Sequence, residues 1–425
     1  MSYQRRATCR VCGDARLRVF LDFGPMPLAN AFLRTTQEIA AERAYPLQVC
    51  VCEGCSLVQT PDVVDREALF RGGPYLTGIS AEMRAHFRAF ARRVVERLGL
   101  EPGDVVLEIG SNDGTLLEQF REEGVGVLGI EPAREAAAAA RKKGIETIDR
   151  FFDSAQASEL RSARGGFRAV VANNVLAHVE RPAEFLAGCR MLVEGAGGGA
   201  SGTGGGSIVF EVPYLGDLVE RLEYDTIYHE HQSYFSATAL LRVAQEAGLV
   251  IDQVEHVPVH GGSLRVWASA RSVPRSHVGA AGDWAEEERT KGIAGPECFE
   301  RLSRFAAEVE ENRKGLVALL KTLKKGGARL AACGAPAKST TLLNHARINT
   351  SLVEFTVDSN PLKVGSLTPG MHLPVLPSAA LEERRPDYAL LLAWNLVDEM
   401  RALHAGWLAR GGRFIAPIPR PEVLS

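Results

Sequence analysis

Two pairs of cysteines near the N-terminus have the spacing of metal ligands. Cys9 and Cys12 form one C-x2-C pair, and Cys52 and Cys55 form a second. Two such pairs supply four thiolates that close tetrahedrally on a zinc ion and leave no open coordination position. The spacing predicts a structural zinc site, with unrelated buried thiols of a reducing compartment as the alternative. Cys50 lies too close to Cys52 to complete the same tetrahedron, so we do not count it as a ligand.

A glycine-bearing turn follows the apolar stretch DVVLEI. Its candidate cofactor-binding residues are Glu108, Gly110, Asn112, Asp113 and Gly114. Glycines let the backbone turn sharply toward a ligand, and Glu131, after the next apolar stretch, can accept both hydroxyls of a ribose. The turn lacks the G-x-G-x-x-G spacing that seats a pyrophosphate. We therefore expect a cofactor with a ribose and no phosphate, namely S-adenosylmethionine, with an ordinary tight turn as the alternative.

A third apolar stretch ends in the sequence VVANNVLAH. Ligands of doubly wound sheets bind outside the carboxyl ends of the strands. Asn173 and Asn174 are therefore predicted to contact the cofactor, and His178 to reach a substrate. The alternative for His178 is a surface histidine at the start of a helix.

The segment YDTIYHEHQSY places four titratable side chains in a row, from Tyr228 to His231, with Glu230 among them. Burying such a row is costly, but the flanking aromatic residues indicate enclosure. A histidine of near-neutral pKa is suited to accept a proton, and a tyrosine hydroxyl is suited to stabilise an oxyanion. A solvated loop or a metal-binding tract is the alternative.

A second glycine-bearing turn, GAPAKST, spans residues 334–340. It lacks the glycine spacing of a P-loop, so the sequence does not imply ATP hydrolysis. Backbone amides at a helix start, the Lys338 ammonium and the hydroxyls of Ser339 and Thr340 are predicted to hold an anion such as a diphosphate. A plain helix start is the alternative.

Alternating strand and helix patterns must position these groups. Strand patterns at 126–130, 146–152, 167–176 and 207–213 are separated by helical stretches. This alternation predicts a parallel sheet covered on both faces, and a second such series follows a long helix that begins near residue 300. We expect an α/β fold with two doubly wound Rossmann-like domains and a small N-terminal zinc-binding module. The predicted boundaries are 1–75 for the module, 76–290 for the first α/β domain and 291–425 for the second.

Composition excludes several classes of protein. The 425 residues carry 49 Lys and Arg against 52 Asp and Glu, a net charge of −3, so no global basic field is available for a nucleic acid. No apolar stretch reaches the ~18 residues that cross a bilayer, and the N-terminus lacks the apolar core of a signal peptide. We expect a cytoplasmic protein with neither a nucleic-acid nor a membrane partner.

The motifs also occur in the order known from one family. They are C-x2-C, C-x2-CSLVQ, EIGSNDG, IYHEH, VHGGSLRV, CGAPAKSTTLLN, VDSNPLKVGSLTPGMHLPV and LLLAWN. Taken together, they resemble the S-adenosylmethionine-dependent C-methyltransferases that act on nucleotide-linked ketodeoxysugars in actinomycete deoxysugar pathways. The resemblance covers nearly the whole chain. One departure is that many relatives have a tyrosine before the glycine of CGAPAKS.

The resemblance implies roles for the three parts and for particular residues. The zinc module would be a lid, and the C-terminal domain would help to bind a thymidine diphosphate sugar. His231 would remove the proton next to the sugar ketone. The resemblance places Tyr228, Glu230, His178 and Tyr75 beside it, and Lys338, Ser339 and Asn395 with the substrate. The structural zinc ion would do no chemistry.

The implied reaction is C-methylation of a thymidine diphosphate-linked 4-keto-deoxysugar, with C3 as the expected position. Methylation of another ring carbon or another keto sugar remains an alternative, as does a non-catalytic relative that binds S-adenosylmethionine and a nucleotide. The absence of G-x-G-x-x-G at both turns argues against an NAD-type oxidoreductase. The sequence leaves the oligomeric state open, with a monomer among the alternatives.

Overall fold

The computed structural model describes residues 3–70, 81–196, 205–270 and 279–424. Tyr75, predicted to lie near the substrate, falls outside the described residues. The described chain forms three parts that meet around one cavity. No helix among these residues is long and apolar enough to cross a bilayer.

The N-terminal part is a small β-structure. Its elements are β1 (Tyr3–Arg5), β2 (Leu17–Pro27), α1 (Thr36–Ala41), β3 (Ala44–Cys52), β4 (Val58–Gln59), β5 (Asp62–Val64) and α2 (Arg66–Phe70). Strands β2, β3 and β4 pair antiparallel. The fourth strand of this sheet, β11 (Ser233–Tyr234), comes from the middle of the chain and pairs with β4. The zinc module is therefore tied by main-chain hydrogen bonds to the segment that follows His231.

The middle part is a seven-stranded sheet with helices on both faces. Its helices are α3 (Ala81–Leu98), α4 (Thr115–Glu122), α5 (Arg134–Lys142), α6 (Ser154–Arg164), α7 (Pro182–Val193), α8 (Leu215–Glu220), α9 (Ala237–Glu246) and α10 (Gly279–Thr290). Its strands are β6 (Val105–Ile109), β7 (Gly126–Ile130), β8 (Thr147–Ile148), β9 (Ala169–Asn173), β10 (Ser207–Pro213), β12 (Val250–Val257) and β13 (Ser263–Ser269). The strand order is β12-β13-β10-β9-β6-β7-β8. Because β6, β7 and β9 are parallel neighbours, the turns after them meet at one edge.

The C-terminal part is a second, six-stranded sheet. The long helix α11 (Cys298–Lys325) leads into β14 (Leu330–Cys333), α12 (Ser339–His345), β15 (Thr356–Asp358), β16 (Val375–Pro377), α13 (Ala380–Arg384), β17 (Tyr388–Leu391), α14 (Val397–Leu403), α15 (Ala405–Ala409), β18 (Arg413–Ala416) and β19 (Glu422–Val423). The strand order is β16-β15-β14-β17-β18-β19, parallel except for the last pair. Buried Leu302, Phe305, Val309 and Leu316 recur at helical spacing along α11 and fix its inner face.

The predicted fold class is confirmed, with two differences in detail. The seven-stranded sheet is not wholly parallel, because β13 runs antiparallel to both β10 and β12. The strand predicted at 146–152 is only the two residues of β8. The connection between β12 and β13 is a short turn, which cannot hold a crossover helix and therefore forces the antiparallel arrangement.

Candidate active site

One cavity of about 1100 Å³ lies where the three parts meet. Its wall includes residues predicted to act in catalysis, in cofactor binding and in substrate binding. They are Glu108, Gly110, Asn112, Glu131, Asn173, Asn174, His178, Tyr228, Glu230, His231, Lys338 and Asn395. Residues that are as much as 287 positions apart in the sequence, such as Glu108 and Asn395, thus line the same cavity. The parallel strands supply the floor, and the zinc module and C-terminal domain supply the sides.

Glu131, directly after β7, is hydrogen-bonded to the predicted cofactor turn. Its Oε2 accepts a hydrogen bond from the Asn112 amide at 2.8 Å, and its Oε1 accepts one from the Ala133 amide at 2.7 Å. Burial raises the pKa of this carboxyl, while the two amide bonds act in the opposite direction. The carboxylate is therefore oriented by the backbone at the carboxyl edge of the sheet, where a ribose would meet it.

Several buried polar atoms around this turn lack partners among the described residues. They are Glu108 Oε2, Ser111 Oγ, both polar side-chain atoms of Asn173, and Asn174 Oδ1. Burial, and then the charges of Glu131 and Asp113, raise the pKa of Glu108 well above its usual range. Buried polar groups are rarely left without a hydrogen-bond partner in folded proteins. The set fits a ligand rich in hydroxyl and amino groups, and so it fits S-adenosylmethionine.

Gly110 gives the turn its shape. Its φ of +72° lies in the left-handed region, and a Cβ atom there would meet Val175 Cγ2 at 2.5 Å. Gly114, with φ of +75°, forms the N-cap of α4. Asp113 does not line the cavity, because its Oδ1 accepts from the Thr115 hydroxyl at 2.7 Å. Of the predicted cofactor residues, the structure therefore places Asp113 and Gly114 behind the turn and the others on the cavity wall.

Replacing Gly110 with alanine is expected to weaken S-adenosylmethionine binding at least tenfold, because the turn must move away from Val175. Gly124→Ala is the matched control: Gly124 has φ of +89° but nothing within 4 Å of the added atom. Both variants carry ~1–2 kcal/mol of left-handed backbone strain. Titration calorimetry should show a weaker Kd in the first variant alone. Equal affinities in the two would place the cofactor elsewhere.

His231 and Tyr228 form a hydrogen-bonded pair on the cavity wall. His231 Nδ1 lies 2.7 Å from the Thr226 carbonyl oxygen, which only accepts, so Nδ1 carries the proton. Nε2 is then the unprotonated nitrogen, and the Tyr228 hydroxyl donates to it at 2.9 Å. Burial, and then the neighbouring His178 ring, lower the pKa of His231 well below its usual range. The ring is therefore neutral at pH 7, with its lone pair directed at a phenol.

His178 and Glu230 complete this cluster. His178 Nδ1 donates to the Glu230 carbonyl oxygen at 2.8 Å, and the His178 and His231 rings lie 4.9 Å apart. Burial raises the pKa of the Glu230 carboxyl to about 7. The Asn30 amide, from the zinc module, donates to Glu230 Oε1 at 2.7 Å and opposes that shift. Asn30 belongs to no motif of the sequence and lies 200 residues away from Glu230 along the chain.

Asn30→Ala is expected to raise the pKa of Glu230 further, because the amide stabilises the charged carboxylate. Loss of that bond lets the protonated form persist to higher pH. The pH profile of kcat/KM reports ionisations of the free enzyme. Its inflection near pH 7 should therefore move to higher pH. Glu230→Gln should remove the inflection, and an unchanged inflection in that variant would assign it to another group.

His229 faces away from this cluster. Its Nε2 donates to the Pro46 carbonyl oxygen at 3.1 Å, and its ring packs edge-on against Tyr45 of the zinc module. Burial lowers its pKa. Successive side chains of the YHEH segment thus serve different partners, and His229 joins two parts of the molecule.

The C-terminal wall of the cavity centres on Lys338. Its Nζ donates to Asn395 Oδ1 at 2.5 Å and lies 3.7 Å from the centroid of the Trp394 ring. Loss of hydration lowers its pKa, which the carboxyls of Asp225 and Glu223 partly restore. Lys338 and Asn395, both predicted to contact the substrate, therefore lie together on the cavity wall.

The two hydroxyls next to Lys338 do not share that position. Ser339 Oγ donates to the Pro336 carbonyl oxygen at 2.6 Å, and Thr340 Oγ1 donates to the Ala29 carbonyl oxygen at 3.0 Å. Neither residue lines the cavity. The prediction that these hydroxyls hold an anion is therefore wrong in its geometry: Ser339 closes its own turn, and Thr340 joins the C-terminal domain to the zinc module.

Asp358, the last residue of β15, also lines the cavity, although it was not among the residues predicted from the sequence. Its place in the six-stranded sheet corresponds to that of Glu131 in the seven-stranded sheet, at the carboxyl end of the strand that follows the glycine-bearing turn. Its Oδ2 accepts from the Ala335 amide at 2.8 Å, as Glu131 accepts from Asn112. The signal was present as the VDSN sequence after an apolar stretch.

The four predicted zinc ligands converge. The Sγ atoms of Cys9, Cys12, Cys52 and Cys55 lie within 4.8 Å of one another. The pairs 9/55 and 12/52 are 3.6 Å and 3.4 Å apart, close to the ~3.8 Å edge of a tetrahedron with zinc–sulfur bonds of about 2.3 Å. Cys50 lies outside the cluster, and its thiol donates to the Gln59 carbonyl oxygen at 3.3 Å.

Comparison with known proteins also divides the chain into three parts, but the C-terminal model begins at residue 258 rather than near 290. Models of a zinc binding domain, a methyltransferase domain and a C-methyltransferase C-terminal domain match residues 9–70, 83–254 and 258–419. The chain is 34% identical to C-methyltransferase NovU of Streptomyces niveus over 421 residues, or 98% of this chain and 96% of that protein. The chain belongs to the C-methyltransferase family. It is therefore a methyltransferase, and the predictions of S-adenosylmethionine and of a structural zinc ion are confirmed.

Two more distant similarities cover less than half of this C-methyltransferase. A ubiquinone biosynthesis O-methyltransferase of Burkholderia pseudomallei is 27% identical over 167 residues, covering 37% of this chain and 70% of that protein. The solved structure of a magnesium protoporphyrin IX methyltransferase from Synechocystis PCC 6803 with bound SAH has a TM-score of 0.33 at 16% identity. The match covers 44% of this chain and 82% of that one.

Proposed function

We propose that this C-methyltransferase methylates carbon C3 of a thymidine diphosphate-linked 4-keto-deoxysugar. One observation carries the proposal: a neutral histidine, His231, presents Nε2 to the cavity beside the Tyr228 hydroxyl, between the cofactor turn and the C-terminal wall. A carbon next to a ketone becomes nucleophilic only after it loses a proton. A base and a hydroxyl donor held 2.9 Å apart provide for that step.

The proton transfer balances within the site. The C3–H electron pair moves into the C3–C4 bond, the ketone π electrons move to oxygen, and the proton passes to His231 Nε2. The Tyr228 hydroxyl, released from Nε2, turns to the enolate oxygen and stabilises its charge. The Thr226 carbonyl oxygen keeps the imidazole oriented by accepting from Nδ1 throughout. S-adenosylmethionine, when bound, supplies an electrophilic methyl group to the nucleophilic carbon.

The C-terminal part supports the nucleotide half of the proposal. The Lys338 ammonium on the cavity wall is suited to a diphosphate. The Asp358 carboxylate, at the edge of the six-stranded sheet, is suited to accept a hydrogen bond from the 3′-hydroxyl of the nucleotide's deoxyribose. We assign nucleotide binding to the predicted domain 291–425, methyl-donor binding to 76–290 and the lid to 1–75. This division leaves the sugar between His231 and the methyl donor.

The test is mass spectrometry after incubation with a labelled methyl donor and a panel of thymidine diphosphate keto sugars. We expect the gain of one methyl group on one nucleotide sugar, and NMR of the product should place it on C3. The free keto sugar without the nucleotide serves as the comparison and should react poorly. A methyl group on oxygen would overturn the proposal, and one on another ring carbon would overturn the assignment to C3.

A further inference from the structure

A buried arginine lies between the zinc site and the catalytic segment. Arg10 is only 5% exposed. Its NH1 donates to Gln232 Oε1 at 2.6 Å, its NH2 to the Thr60 carbonyl oxygen at 2.5 Å, and its Nε to Gln59 Oε1 at 3.3 Å. Among the described residues Arg10 forms no salt bridge, so neutral oxygens alone hold a buried guanidinium.

The zinc site supplies negative charge next to this guanidinium, in addition to the Glu180 carboxylate. Arg10 directly follows Cys9, and the same Gln59 side chain that accepts from Arg10 donates its Nε2 to Cys9 Sγ at 3.3 Å. Four thiolates around Zn²⁺ carry a net charge of about −2. Buried charges are retained when an opposite charge and hydrogen bonds compensate them. The metal site and Arg10 therefore stabilise each other.

On its other side, Arg10 holds the residue next to the base. Gln232 follows His231 directly, and its backbone amide donates to the Ala177 carbonyl oxygen at 2.7 Å, one residue before His178. The Gln232 carbonyl oxygen accepts from the Thr60 amide at 3.1 Å. Gln232 thus fixes the 231 and 178 rings relative to each other and to the zinc module.

We propose that Arg10 is a positioning residue for proton removal: through Gln232 it holds His231 against His178, and the zinc site holds Arg10. This inference rests on the proposed enolisation. None of these contacts involves the cofactor turn at 108–114. Loss of Arg10 should therefore slow proton removal and leave cofactor affinity unchanged.

The experiment separates proton removal from methyl transfer. Arg10→Met and the parent chain, both loaded with zinc and saturated with SAH, are incubated with the thymidine diphosphate keto sugar in deuterium oxide. NMR then follows exchange of the proton at the carbon next to the ketone. The rate is expressed per SAH-binding site, so a loss of folded protein does not count. We expect at least a tenfold slower rate in Arg10→Met, with Kd for SAH within twofold of the parent.

Arg16→Met is the matched control within the zinc module. Arg16 is exposed, and its guanidinium pairs with Asp14 rather than with the catalytic segment. Its exchange rate per site should equal that of the parent. An Arg10→Met rate per site equal to the parent rate would overturn the positioning role. Absence of exchange in the parent chain would instead overturn the proposed function.

Gln232→Met tests the same contact from its other end, and it decides the question if Arg10→Met does not fold. It removes the oxygen that accepts from Arg10 and keeps the backbone bonds to Ala177 and Thr60. We expect a similar decrease in exchange per site. Where the double variant folds, it should be no slower than the slower single variant, because both remove one interaction. Additive losses, or no loss in Gln232→Met, would contradict the inference.

Discussion

Replacing His231 with asparagine is expected to lower turnover about 10²–10⁴-fold, the contribution of a positioned general base. Asparagine keeps a donor for the Thr226 carbonyl oxygen but offers no basic nitrogen to the substrate. Binding of S-adenosylmethionine should be unchanged, because the cofactor turn contacts neither nitrogen of the ring. Initial rates and calorimetry on the same preparation measure both quantities.

His229→Gln is the control for this prediction. His229 belongs to the same segment but donates to the Pro46 carbonyl oxygen in the zinc module. A glutamine amide can replace that donor, so activity per folded molecule should stay within a few-fold of the parent. Full activity in His231→Asn would remove His231 as the base. An equal loss in both variants would show that the segment responds to packing rather than to base chemistry.

Replacing Cys52 with serine is expected to release zinc and unfold the N-terminal module. Structural zinc sites contribute about 10–16 kcal/mol to folding in small zinc peptides. Because β11 is part of the module's sheet, the segment after His231 should lose order as well. The zinc content, the unfolding temperature and the rate of methyl transfer should therefore all decrease together.

Cys50→Ser is the matched control, on the same strand and equally buried. Its thiol donates to the Gln59 carbonyl oxygen, and a serine hydroxyl can do the same. We expect it to keep one zinc ion and an unfolding temperature close to that of the parent. Retention of zinc and of stability by Cys52→Ser would contradict a structural metal site, as would loss of zinc in Cys50→Ser.

The sequence determined those parts of the site that one short segment supplies. The C-x2-C pairs and the EIGSNDG turn are local, because their ligating groups lie within a few residues of each other. The carboxyl at 131 was also predictable, since the ends of neighbouring parallel strands always meet at one edge. Asp358 obeys the same rule and could have been found by applying it to the second sheet.

Only the tertiary structure decided which side chains of the YHEH segment face the cavity and what supports them. Tyr228, Glu230 and His231 line the cavity, whereas His229 turns to the zinc module. Asn30, Arg10 and the Thr340 hydroxyl act on partners 200, 222 and 311 residues away. Contacts across such distances depend on how whole sheets pack together. The spacing of residues within one segment does not predict that packing.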